Sequence, residues 1–273
     1  MTDQWKYKRK EQNDIDHYFR GLRSFVDELL DGINDINSYS KRLQEIATDP
    51  QFDQLANEAA RKIVTYQANS NARTWREAMK KSSKGYKLYK SLSKELRSLD
   101  EFNNLIAEGA YQIKTLPLNI SQRIVKRIAR LSIEGKRTDT IATDIKKYFP
   151  EATKASAQLI ARTQIAKTYA AITESRAKKI GIQAYVWHTV GGPRVRDSHR
   201  HMNDVIVFYN EPPAPEELIG KKSAGHYHAG GIYNCRCYEE PLLDIVDVTW
   251  PHKVYHAGKI TKMSRKRFTD LLS

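Results

Sequence analysis

Cysteine is almost absent. Of 273 residues only Cys235 and Cys237 carry a thiol, and they stand two positions apart. So short a spacing makes a poor disulfide, because the Cα atoms of an ordinary bridge lie ~4.4–6.8 Å apart with their Cβ atoms turned toward each other. In an extended segment residues i and i+2 point the same way, side by side. A disulfide-stapled scaffold is therefore excluded, and synthesis in a reducing cytoplasm is expected. Long apolar runs are also missing. No stretch approaches the ~20 apolar residues of a spanning helix, so no membrane association is expected. The opening segment, Met1 to Asp14, lacks the apolar core of a secretory signal. Acidic residues are in deficit: 32 Asp plus Glu face 46 Lys plus Arg, a net charge of +14. Such a balance suits either a solvated basic surface or a polyanionic partner, of which nucleic acid is the commonest. Internal repeats and low-complexity tracts are absent.

What is present is mostly helical periodicity. Leu22, Val26, Leu29, Ile33, Ile36, Ser40, Leu43 and Ala47 step by four and three in turn, an a/d seam interrupted by Gly32. Asp49-Pro50 reads as a helix start with Pro in the first turn. Phe52, Leu55, Ala59, Ile63 and Tyr66 then form one apolar face, which Trp75 and Met79 extend toward Gly85. Leu88, Leu92, Leu96 and Leu99 begin another helix. Leu116-Pro117 marks a soft boundary. Ile120, Ile124, Ile128 and Leu131 form the next stripe, stopped by Gly135. Its other face carries Arg123, Lys126, Arg127 and Arg130. A short helix from Thr140 to Phe149 is expected to end before Pro150. A longer one follows from Ala152 to Ile180, with Gly181 as its left-handed C-cap.

After Gly181 the texture changes. Residues 183–189 and 204–209 read as strands, rich in aromatic and β-branched residues. Residues 210–231 hold three prolines and four glycines and read as a loop. Residues 233–243 are a third short strand. From Trp250 onward the chain is a basic tail, with Lys259, Lys262, Arg265, Lys266 and Arg267 as candidate nucleic-acid contacts alongside Arg123, Lys126, Arg127 and Arg130. The expected fold is mainly α, a helical bundle followed by a small α+β module with a short antiparallel sheet and long loops.

Residues 187–237 concentrate the unusual chemistry: Trp187, then Arg194-Val-Arg-Asp-Ser-His199, then His226 and His228, then Asn234-Cys-Arg-Cys237. Four readings are open. The first is a polar network in which Arg196, Asp197 and Arg236 tie loops to the sheet through charge-assisted hydrogen bonds. It needs no cofactor. The second is a zinc site, with Cys235 and Cys237 as thiolates on one side of a strand and His199 with His226 or His228 completing a tetrahedron. The third is a metal-dependent nuclease using His199, Asn203 and His226 or His228. The fourth is a Cys235 nucleophile activated beside Arg236.

Taken as a set, several pieces resemble the phage head morphogenesis family, the Mu F-like minor head proteins of tailed bacteriophages. They are Ala161-Arg-Thr-Gln164, Lys179-Ile-Gly-Ile182, Trp187, Arg194-Val-Arg-Asp-Ser-His199, Phe208 and Asn234-Cys-Arg-Cys237. The tail Val254 to Ser264 is similar to the end of such proteins. The resemblance implies three segments: N-terminal helices at 1–115, a Mu F-like module at 116–245 and a basic tail at 246–273. It implies a few-copy, non-enzymatic head component made in the host cytoplasm and located inside the virion near the portal vertex. Its expected partners are the portal protein, other head or scaffold proteins and double-stranded DNA, bound without sequence preference, with roles in packaging or ejection. The N-terminal helices, through a face such as Leu22-Val26-Leu29-Ile33, are expected to dock on the portal or a neighbouring head protein. Other members carry Cys-x-x-Cys where this chain has Arg196-Asp-Ser-His199, so Arg196 stands where the first Cys would be and His199 where the second would be.

Overall fold

In the computed structural model, the described residues are 36–82, 99–134, 136 and 138–272, with Arg20 and Ser24 as isolated helical positions. The seam positions Leu22, Val26, Leu29 and Ile33 and the helix through Leu88, Leu92 and Leu96 lie outside them.

Asp49 opens the first long helix as its N-cap. Its Oδ1 accepts from the backbone N–H of Gln51 at 2.7 Å and of Phe52 at 3.3 Å, satisfying donors that have no intrahelical partner. Pro50 follows where its missing N–H costs nothing. The helices are α1 (Ile36–Ala47), α2 (Pro50–Lys81), α3 (Leu99–Lys114), α4 (Leu116–Ile133), α5 (Thr138–Lys179), α6 (Asp197–His201) and α7 (Arg265–Leu272). The strands are β1 (Ala184–His188), β2 (Val205–Phe208), β3 (Tyr238–Pro241), β4 (His252–His256) and β5 (Lys259–Met263). The expected mainly α fold with a small α+β module is borne out.

The chain divides into two compact units. One comprises Lys8–Thr65 and Leu99–Gln164. In it α1 packs along α4, and Leu43, Ile46, Phe52, Ile63, Ile113, Ile120 and Ile124 are buried. The stripes read from the sequence thus face a core. Lys114 pairs with Asp53, and Arg127 holds Asp144 with a bidentate fork and stacks on Tyr148.

The other unit comprises Met1–Tyr7, Tyr66–Ser98 and Ile165–Ser273. Its sheet has the order β3-β1-β2-β4-β5. β1 pairs antiparallel with β2 and β3, and β4 with β5, but β2 and β4 run parallel. Alternation along β1 and β2 separates two cores. Tyr185, Trp187, Val205 and Val207 pack with Trp75, Met79, Ala177 and Tyr227. Ala184, Val186, Ile206 and Phe208 pack with Val254, Met263 and Phe268.

The structure corrects three expectations. The sheet has five strands and is mixed, rather than a short antiparallel one. Residues 252–272 form β4, β5 and α7, and they supply the second core with Val254, Met263 and Phe268. α5 runs unbroken through Pro150. The lost amide bond is offset on both sides: Asp144 is anchored upstream by Arg127, and Thr153, Ala157 and Ile160 are buried downstream. Gly181 does end α5 in the left-handed region, at φ 80°. The Ile182 N–H reaches the Ala177 carbonyl at 2.9 Å, the 6→1 bond of a Schellman cap.

Candidate functional site

Three side chains converge within the second unit. His199 lies on α6, and Cys235 and Cys237 lie just before β3. A left-handed Asn234, φ 54°, turns the chain into the Cys-Arg-Cys segment. His199, Cys235 and Cys237 are all buried. The His199 Nδ1 stands 3.3 Å from the Cys237 Sγ and 3.5 Å from the Cys235 Sγ. Both thiols are free of disulfides.

The far side of the imidazole fixes its tautomer. The Tyr227 hydroxyl has one proton, and it donates that proton to Glu216, whose oxygens lie 2.7 and 2.8 Å away. Burial, and then this bond, push the Tyr227 pKa upward, so the proton stays. The Tyr227 oxygen is thus left to accept from the His199 Nε2–H at 3.1 Å. Glu216 also accepts from the Ser198 hydroxyl at 3.1 Å. In the neutral ring Nδ1 is consequently bare, and its lone pair faces the two sulfurs. An outer carboxylate that orients a histidine ligand in this way is the usual support of a metal site.

One of the two sulfurs is set up to carry negative charge first. The Cys235 thiol is pushed well down from the usual thiol range, chiefly by the hydrogen bond from the Cys237 thiol. Cys237 is pushed up by its bond to Cys235 and by burial, so the pair ionises at Cys235 first. The Cys237 backbone N–H lies 3.4 Å from the Cys235 Sγ. The Trp187 indole N–H is buried beside the cluster without a hydrogen-bond partner. Its ring also meets the His199 ring edge-on, with centroids 5.7 Å apart.

The donor set suits zinc. At Zn–S ≈ 2.3 Å and Zn–N ≈ 2.0–2.1 Å, a tetrahedron places ligand atoms roughly 3.5–3.8 Å apart. The three donor atoms here lie within 4.8 Å of one another. His226 and His228 are not part of this group. The His226 Nδ1 sits 3.0 Å from the Pro212 carbonyl. His228 faces the Tyr185 hydroxyl at 3.2 Å and Glu174 at 3.9 Å. The polar network has its own members. Arg196 donates to the Tyr233 carbonyl at 2.8 Å. Asp197 pairs with Arg200 at 3.2 Å and with Lys221 at 3.3 Å. Arg194 and Asn234 are exposed and Arg236 is half-buried. Asn203 is occupied elsewhere, accepting from the Thr189 backbone N–H at 2.9 Å.

Sequence reasoning missed Tyr227 and Glu216, which support His199 from behind. Nothing in their spacing pairs them with a residue 17 or more positions upstream; only the tertiary fold does. It also missed a cleft of about 500 Å³, whose walls include the His188–Glu240 pair at 2.7 Å and the His252–Asp204 pair at 3.6 Å.

Residues 122–239 match the family described as phage Mu protein F like protein. The resemblance to phage head morphogenesis proteins is thereby borne out over that segment, which is less than half of the chain. An uncharacterized protein of Haemophilus influenzae is 30% identical over 145 residues, covering 53% of this chain and 30% of that relative. The chain therefore matches under a third of that relative's length. No solved structure matches the chain significantly. Among the described residues, no helix is long and apolar enough to cross a membrane.

Proposed function

We propose that the chain is a minor head protein of a tailed phage, built into the procapsid at the portal vertex and lying against the packaged DNA. The observation that carries this reading is the Mu F-like match over residues 122–239. Its role on this reading is structural rather than catalytic. The DNA contact is supported by the net charge of +14 and by the exposure of Lys126, Arg130, Lys259, Lys262, Arg265, Lys266 and Arg267. Arg123 is half-buried and Arg127 is engaged by Asp144, so both are weaker contacts.

The proposal includes one zinc ion held by the His199 Nδ1 and the Cys235 and Cys237 sulfurs, in place of the cofactor-free network. The bare Nδ1 and the convergence of the three donor atoms within 4.8 Å of one another support it. The ion would tie α6 to the approach of β3, replacing the disulfide that the Cys-Arg-Cys spacing disfavours. A nuclease reading gains no support, because Asn203 is committed to Thr189.

Co-expression with the portal protein of the phage that encodes this chain tests the assembly role. The chain is expected to co-sediment with portal rings. Its duplex binding should fall steeply with salt, by about −0.9 in log–log slope for each phosphate neutralised. Sedimentation apart from the portal, together with salt-insensitive DNA binding, would overturn the proposal.

A further inference from the structure

The zinc centre proposed above has only three protein ligands among the described residues. The nearest carboxylate on its histidine, Glu216, lies on the Nε2 side, 4.0 Å from that nitrogen and held by Tyr227 and Ser198. It faces away from the sulfurs. His226 and His228 are bound to other groups. On the sulfur side the three ligands open onto a cavity of about 90 Å³. Arg194, Arg196, Arg236 and Asn234 line it, and neither Asp nor Glu does.

We propose that an exogenous oxyanion of the phosphate class takes the fourth position at this centre, held by Arg194, Arg196 and Arg236. The inference rests on the zinc reading. Charge decides the class of ligand. Two thiolates neutralise a divalent zinc, so the three guanidinium groups leave the cavity positive, and an anion is favoured over a side-chain cation. Geometry sharpens the choice. Guanidinium forks match the oxygens of phosphate and carboxylate, and three around one cavity suit an anion with several oxygens. Size limits it further. A cavity of about 90 Å³ admits a few waters or one small oxyanion and not a whole nucleotide. Arg196 is already oriented by the Tyr233 carbonyl, and its charge acts on both Cys237 and Tyr227. A three-ligand zinc with an open position is the arrangement that admits an outside ligand.

A free phosphate ion and a phosphate of the DNA backbone share this chemistry. Cobalt(II) in place of zinc separates them, because its visible absorption reports the ligand set. The whole 273-residue chain, loaded with one cobalt, is titrated first with inorganic phosphate and then with a short DNA duplex. The expected result is a saturable change in the cobalt bands. A response to phosphate alone identifies the free ion, and a response to the duplex identifies the backbone. Arg194→Gln, at an exposed position, and Arg196→Gln should each weaken that response about tenfold or more, with the cobalt still bound. Arg194→Gln keeps the test decisive if Arg196→Gln unfolds. Failure to bind cobalt or zinc at all overturns the zinc reading and this inference with it. Cobalt that binds but ignores both probes overturns the oxyanion alone, and so does a response unchanged in both arginine variants.

Discussion

Tyr227 makes the chemistry at His199 directional, because its single proton goes to Glu216 and its lone pair receives the His199 Nε2–H. Removing the hydroxyl leaves Nε2–H buried without its acceptor and frees the ring to change tautomer. Tyr227→Phe is therefore expected to lower zinc affinity about 10–100-fold, the usual effect of losing an outer partner of a metal ligand. Cys235→Ser should abolish stoichiometric zinc. Competition with a chromogenic chelator measures both, and a Tyr227→Phe protein that holds zinc as tightly as the parent would contradict the arrangement. The clustered residues themselves were legible in the sequence as one small set, because Cys-Arg-Cys and His199 are chemically distinctive residues placed near strands. Whether His226 or His228 would join His199 was not legible, and neither does. It depends on which loop folds over Trp187, and that is a long-range packing outcome.

At the scale of elements, a polar clamp joins α2 to α5 within the second unit. The Arg176 guanidinium is buried, its pKa lowered to about 10 by desolvation, and it remains charged at neutral pH. It donates to the Asn71 side chain and, at 3.1 Å, to the Ala68 carbonyl. The Asn71 Nδ2 donates in turn to the Thr173 hydroxyl at 2.7 Å. Asn71→Ala would leave the buried cation short of a partner, a loss of about 2–4 kcal/mol in urea unfolding. Thr173→Val should cost less, because it strands a neutral group. Equal, small losses in both variants would show that the clamp carries no weight. The helical stripes were legible because burial follows the 3.6 period; Phe52, Ile63, Trp75, Ile120 and Ile124 all face a core. The tail hairpin was hidden. Its turn is Ala257-Gly258, with φ 51° and 76°, and alanine is a poor signal for a turn needing two positive φ values. Glu211 compensates, accepting from the Ala257 N–H at 2.6 Å and facing the His256 Nδ1 at 2.9 Å. Ala257→Asn is expected to raise stability by roughly 0.5–1 kcal/mol, since asparagine tolerates the left-handed region. A thermal midpoint lowered by that change would argue against the assigned turn. Pro150 misled for the opposite reason. A local breaker was overridden by packing on either side of it.

At the scale of the whole molecule, the Mu F-like match begins in α4 and ends in β3, so it draws on residues of both compact units. The first stretch supplies helical core, and the second supplies β1, β2 and the His199-Cys235-Cys237 cluster. The strands and helix of residues 252–272 lie beyond the match, yet they complete the sheet and carry exposed cations. Basic charge is thus built onto folded elements, which suits the proposed contact with DNA. The most direct test is peptide mass spectrometry of density-gradient-purified heads of the phage that encodes this chain, compared with procapsids. The account predicts peptides of this chain in both, at far fewer copies than the major capsid protein. Their absence from procapsids and mature heads alike, with the protein found only in the soluble lysate, would contradict a role in the head.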